Sequence, residues 1–166
     1  MIYKDNAVKD LRIAYIGGGS RGWAWTFMRD LALEPALGGT IVLYDINKEA
    51  AKANEVIGNG ITKRPEAVGK WKYVVADTLS YDDHVYVVLI VFVISILPGT
   101  FDEMESDVHE PEKYGIYQSV GDTAGPGGIV RALRTIPMFV EIAEAIRDYA
   151  PKAWVINYTN PMSLCV

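Results

Sequence analysis

Four stretches of this chain carry residue types whose spacing could do chemistry. The first is Gly17-Gly18-Gly19-Ser20-Arg21-Gly22. Such a turn presents backbone N–H groups, and a helix behind it points partial positive charge forward, so it suits a pyrophosphate. Gly17 is expected to turn the chain sharply, Gly19 to leave room for a phosphate, and Gly22 to let the helix pack close to the strand. The second is Asp45, at the end of the next apolar run. A carboxylate there accepts from the adenosine ribose hydroxyls and repels a 2′-phosphate, which selects NAD over NADP. As a plain turn residue it would only cap the following helix. The third is Gly121-Asp122-Thr123-Ala124-Gly125-Pro126-Gly127-Gly128, too glycine-dense for a mere connector. Asp122 can accept there from sugar or acid hydroxyls; the alternative is a loop with several positive-φ turns. The fourth is Asn157 and Asn160, past the last apolar run, where open α/β sheets bind ligands. Pro161 would fix the turn that aims the Asn160 amide, and the alternative is an Asx-turn.

Other polar groups say less. Asp107, His109 and Glu110 cluster in sequence and could ligate a metal, but a loop histidine beside acids is more often a solvated surface side chain. His84 beside Asp82 and Asp83 reads as a solvated loop residue. Cys165 has no second thiol and no nearby histidine, so it reads as a core residue.

The elements that must position these groups alternate. Leu11–Ile16 is a short run of β-formers. A helix follows from about Ser20 to Leu33, with Trp23, Phe27 and Leu31 on one face, stopped at Glu34-Pro35. Thr40–Tyr44 is a second strand. Asn47 can cap a helix from Lys48 to about Ile57, which Gly58-Asn59-Gly60 would end. Trp71–Ala76 is a third strand. Val85–Leu97 is nearly all apolar, as a strand covered on both faces must be. The long connection from Phe101 to Gly128 should be functional or carry short helices. Ile129, Leu133, Ile136, Val140, Ala143 and Ile146 mark a helix face, bent at Pro137, and Ala153–Tyr158 is a last strand. This is a Rossmann-like, doubly wound parallel α/β sheet, with residues 1–10 a loose lead-in and 11–166 one NAD-binding domain.

The chain has 166 residues, half of them hydrophobic, and a net charge of −5 with no basic run, which argues against nucleic acid. The longest apolar run falls short of the roughly 20 residues of a membrane span. One cysteine excludes an internal disulfide framework and fits a reducing, cytoplasmic setting.

Several stretches together resemble glycoside hydrolase family 4. They are Ile16-Gly17-Gly18-Gly19-Ser20, Ser95-Ile96-Leu97-Pro98-Gly99-Thr100, the Gly121–Gly128 loop and Asn157-Tyr158-Thr159-Asn160-Pro161. Asp107–Pro111 and Gly115–Val120 look most like the family's α-galacturonidase branch. The resemblance runs from about Leu11 to Val166.

It implies a lactate-dehydrogenase-like fold, NAD, a divalent metal (usually manganese) and a uronide substrate. It also implies an unusual glycosidase mechanism. The sugar is oxidised at C3 by NAD, the C2 proton is removed, the glycosidic bond is eliminated, water adds, and the hydride returns. Carried over by position, Gly17 to Gly22 (with Gly18, Ser20 and Arg21), Asp45, Ile96 and Asn157 would contact NAD. Asp122 and Asn160 would contact substrate. The family's metal ligands, a cysteine and a histidine, and its tyrosine base are expected beyond Val166, so none of the metal ligands is assigned here. Cys165 follows Asn160 too closely to be that cysteine. The C-terminal substrate domain is likewise expected beyond this stretch, which alone should be inactive and should tend to self-associate through its uncovered apolar surface. The protein is also expected to be a homo-oligomer. The nearly all-apolar segment His84–Phe92 departs from the family, which is usually more polar there.

Two other readings stay open. One is a lactate or malate dehydrogenase relative acting on 2-hydroxy acids. The other is a non-catalytic NAD-binding module.

Overall fold

The computed structural model describes residues 2–79, 90–93, 101–120 and 123–165. In chain order the elements are β1 (Ile2–Lys4), β2 (Ala7–Ile16), α1 (Gly22–Leu33), β3 (Leu37–Tyr44), α2 (Lys48–Ile61), β4 (Lys70–Val75), β5 (Ile90–Val93), α3 (Phe101–His109), α4 (Gly125–Tyr149) and β6 (Trp154–Asn157). A 3-10 helix, Glu110–Tyr114, follows α3.

The sheet order is β4-β3-β2-β5-β6, all parallel, and β1 adds antiparallel to β2. The chain winds outward from β2 first through β3 and β4, then the other way through β5 and β6. Such a reversal opens a crevice at the carboxyl ends of the central strands. One core cluster joins Leu11, Ile13 and Tyr15 of β2, Ile41 and Leu43 of β3, and Trp71 and Tyr73 of β4 to Met28 and Leu31 of α1. A second sets Ile16, Val91 and Val93 against Ile142 of α4.

Four expectations are corrected. Residues 2–10 are not loose: β1 and β2 form a hairpin whose turn, Asp5-Asn6, has both residues at positive φ, the geometry that matches strand twist. The buried stripe of α1 is Ala24, Met28, Leu31 and Ala32, while Trp23 is exposed. Small Ala24 lets the helix sit close to the sheet, where Trp23 could not fit. Helix α2 runs on through Gly58 and Gly60 to Ile61. A Cβ at Gly58 would lie 2.7 Å from the Tyr73 ring, so this glycine serves close packing against β4 and not termination. Asn59 reinforces the contact: its amide donates to Tyr73 O at 2.8 Å and accepts from Tyr73 N at 3.1 Å.

The fourth concerns α4, which starts at Gly125 and passes through Pro137. Its buried stripe is Gly127, Gly128, Arg131, Ala132, Thr135 and Ile142. The expected face is largely outward, with Ile129 60% and Leu133 69% exposed. The helix has apolar residues on two sides, and Met138, Phe139, Ile142 and Ile146 are the ones that pack with Ile16, Val91 and Val93 of the sheet. In Val85–Leu97, only Ile90–Val93 lies among the described residues, as a strand.

Candidate functional site

Register builds the site. Ile16 pairs with Tyr44 on one side and Val93 on the other, and Val93 pairs with Asn157. The residues that follow, Gly17, Asp45 and Tyr158, therefore share one rim of the sheet.

Gly17 turns the chain there with φ 85°, which favours glycine. The N–H groups of Gly17 and Gly18 both donate to Tyr44 O at 2.9 Å, pinning the turn to β3. The N–H of Gly19 donates to Asp45 Oδ2 at 2.8 Å, and that of Asn47 to Oδ1 at 2.8 Å. Each carboxylate oxygen keeps accepting capacity for a ribose hydroxyl. A Cβ at Gly18 would lie 2.8 Å from Leu43 Cβ, and one at Gly19 would lie 2.8 Å from Asp45 Oδ2 and 2.9 Å from Ala50 Cβ. A Cβ at Gly22 meets nothing within 4 Å. The close packing expected of Gly22 thus belongs to Gly18 and Gly19, because the turn lies flat against β3 and α2 before the helix begins.

The two helix starts differ. Asn47 caps α2 by accepting from Ala50 N at 3.1 Å. No side chain caps α1, and its first turn holds no acid. Its leading N–H groups suit an anionic ligand.

A cavity of about 310 Å³ opens beside the turn, lined by Gly17, Asp45, Ile46, Met138, Glu141 and Ile142 among others. Apolar walls with a few polar groups are the usual make-up of a small-molecule site. Arg21 and Gly22 line a different space, a groove of about 660 Å³ between α1 and α2 shared with Trp25, Arg29 and Arg64.

Past β6, Asn157 binds its own loop. Its Oδ1 accepts from Thr159 N at 2.9 Å and its Nδ2 donates to Cys165 O at 3.1 Å. Asn157 thus forms an Asx-turn in this segment, ahead of Asn160, which is exposed and precedes a cis peptide bond to Pro161. Tyr158 meets Trp23 edge-on with ring centroids 5.8 Å apart, so the loop touches the start of α1. Cys165 is half-buried, and burial pushes its thiol pKa up.

Asp107 forms an ion pair with Arg134 that docks α3 on α4, its side chain 13% exposed. His109 Nδ1 lies 2.9 Å from Glu112 Oε1, and Lys113 donates to Glu110. Asp107, Glu110 and Glu112 are thus each paired with a neighbouring side chain, and among the described residues no group of three His, Cys, Asp or Glu is placed to hold a metal. Asp122, Ile96 and His84 lie outside the described residues.

The sequence reading missed Glu141 and Asn54. Asn54 is only 2% exposed; its Nδ2 donates to Gly18 O at 2.7 Å and Ser20 O at 2.9 Å, and its Oδ1 accepts from Trp25 Nε1 at 2.8 Å. Its signal was an asparagine in the small-residue stripe Ala51, Asn54, Gly58 of α2.

Fold and site together define a Rossmann-like α/β domain with a glycine turn at the switch point of its sheet. The sequence model for family 4 glycosyl hydrolases matches residues 12–166, and the chain belongs to that family. An alpha-galacturonidase of Lachnoclostridium phytofermentans is 68% identical over all of this chain, which covers 35% of that protein. The crystal structure of lplD from Bacillus subtilis has a TM-score of 0.83 and 56% identity over 95% of this chain and 35% of its own. The 6-phospho-beta glucosidase of Thermotoga maritima, solved with manganese, NAD+ and glucose-6-phosphate, has a TM-score of 0.70 and 27% identity over 91% of this chain and 34% of its own. The chain thus spans about a third of the length of these relatives. Among the described residues no helix is long and apolar enough to cross a membrane.

Proposed function

We propose that this chain is the NAD-binding part of a glycosidase that hydrolyses α-galacturonides. The observation that carries the reading is the Gly19–Asp45 arrangement. A turn with no room for a side chain meets a carboxylate just past the next strand on one rim, and the turn leads directly into an uncapped helix start. These residues fit the adenosine ribose and pyrophosphate of NAD. The name of the 68% identical relative supports the uronide, and the Thermotoga maritima complex supports NAD and manganese.

When bound, NAD supplies a reversible acceptor for hydride from C3 of the sugar. Asp45 accepts from the ribose hydroxyls. The N–H groups leading into α1 offset the pyrophosphate charge. Asn160, at the crevice, donates to one sugar hydroxyl and accepts from another, which orients C2 and C3. Asn157 holds the loop that carries Asn160, beside the nicotinamide end of the crevice. Asp122 accepts from the substrate, and Ile96 lines the cofactor. No described residue is assigned to the divalent metal. The same reading assigns the protein to the cytoplasm as a homo-oligomer.

The test is assay of the natural chain with NAD, manganese and an aryl α-galacturonide. Release of galacturonic acid without net NADH is expected. Steady NADH production from a 2-hydroxy acid would establish the dehydrogenase reading instead, and NAD binding without turnover the module reading.

A further inference from the structure

We infer that Asn54 is a positioning residue that sets the orientation of the pyrophosphate turn from the neighbouring helix. This deepens the NAD reading above and rests on it.

Asn54 sits on the buried face of α2, 2% exposed, yet it is polar. Both N–H bonds of its amide are used, to Gly18 O at 2.7 Å and Ser20 O at 2.9 Å. Its oxygen accepts from Trp25 Nε1 at 2.8 Å. A flipped amide would set its oxygen against two carbonyl oxygens, so only one orientation satisfies the network.

The consequence follows from peptide geometry. In a trans peptide the C=O of one residue and the N–H of the next point in opposite directions. Drawing the Gly18 and Ser20 carbonyls toward the Asn54 amide therefore turns the N–H groups of Gly19 and Arg21 away from that amide. For Gly19 the N–H reaches Asp45 Oδ2 at 2.8 Å, at the rim where the ribose would bind. Arg21 N–H leads into the uncapped start of α1. Asn54 thus keeps carbonyl oxygens, which would repel a phosphate, on the far side of the turn and N–H groups on the near side. Trp25, on α1, fixes the amide that does this.

The test uses Asn54→Asp and Trp25→Phe in the natural chain, with affinities for NAD and for adenosine measured by calorimetry. Asn54→Asp keeps size and the acceptor for Trp25 but sets a carboxylate against two carbonyls. NAD affinity should fall about tenfold or more while adenosine affinity, which depends on the Asp45 cavity, changes less than about twofold. Trp25→Phe leaves the carbonyl contacts and should cost about threefold for NAD alone. A general structural role would weaken both ligands in parallel. Parallel loss, or unchanged NAD affinity in every variant that folds, overturns the inference. If the unaltered chain binds adenosine but no NAD, the pyrophosphate role falls. If it binds neither, the NAD reading itself fails and takes this inference with it.

Discussion

The backbone N–H of Gly19 donates to Asp45 Oδ2 at 2.8 Å, tying the turn after β2 to the residue that follows β3. The carboxylate proposed for ribose binding is therefore oriented before any ligand arrives. Preorganisation of this kind lowers the cost of binding.

Asp45→Asn keeps an acceptor for Gly19 but removes the charge that opposes a 2′-phosphate. NAD affinity should fall about tenfold, and the preference for NAD over NADP should narrow. Calorimetric titration with both nucleotides checks this. An unchanged preference would return Asp45 to the role of a turn residue.

Gly58→Ala tests the packing of α2 on β4. The new Cβ would lie 2.7 Å from the Tyr73 ring, which is itself buried. Overpacking of this kind costs about 1–3 kcal/mol, read as a lower midpoint in urea at constant slope. A neutral result would mean that the helix shifts without cost.

That contact also explains what was legible in the sequence. The β-α-β-α-β order, the glycine turn and the strand-end Asp45 were legible because each rests on local signals: an apolar run, a glycine cluster, a cap. Gly58-Asn59-Gly60 was misread as a stop because its meaning lies in Tyr73, which the chain reaches only later. The outward stripe of α4 was misread for a related reason. Periodicity finds apolar faces but cannot tell which one a sheet will cover, and here Met138, Phe139, Ile142 and Ile146 meet the strands while Ile129 and Leu133 stay exposed. Asn54 showed only as an asparagine in the small-residue stripe of α2, because helix propensity and charge say nothing of a buried amide's partners.

Burial pushes the phenol pKa values of Tyr15 and Tyr73 well above the ordinary value of 10.0. The folded chain holds these protons more tightly than the unfolded chain does. Their contribution to stability is therefore complete below about pH 10 and is lost as pH rises toward their folded values. In an alkaline titration followed by phenolate absorbance and by circular dichroism, Tyr15 and Tyr73 should ionise only with unfolding. Their ionisation in a still-folded chain would contradict the packing.

Asn160→Asp keeps size but removes a donor and adds charge beside a uronate sugar. In the natural chain kcat/KM for an α-galacturonide should fall at least about tenfold, roughly 1.4 kcal/mol, with NAD affinity little changed. Intact turnover would leave Asn160 a turn residue. A matching loss of NAD affinity would mean that it supports the cofactor or the fold.

The central claim, that the rim built by Gly17, Gly19 and Asp45 is an NAD site, is tested most directly by calorimetric titration of the unaltered chain with NAD and NADP side by side. The account predicts saturable one-site binding, with NAD at least about tenfold tighter because Asp45 accepts from the ribose and opposes a 2′-phosphate. Equal affinity, tighter NADP or no binding of either would contradict it.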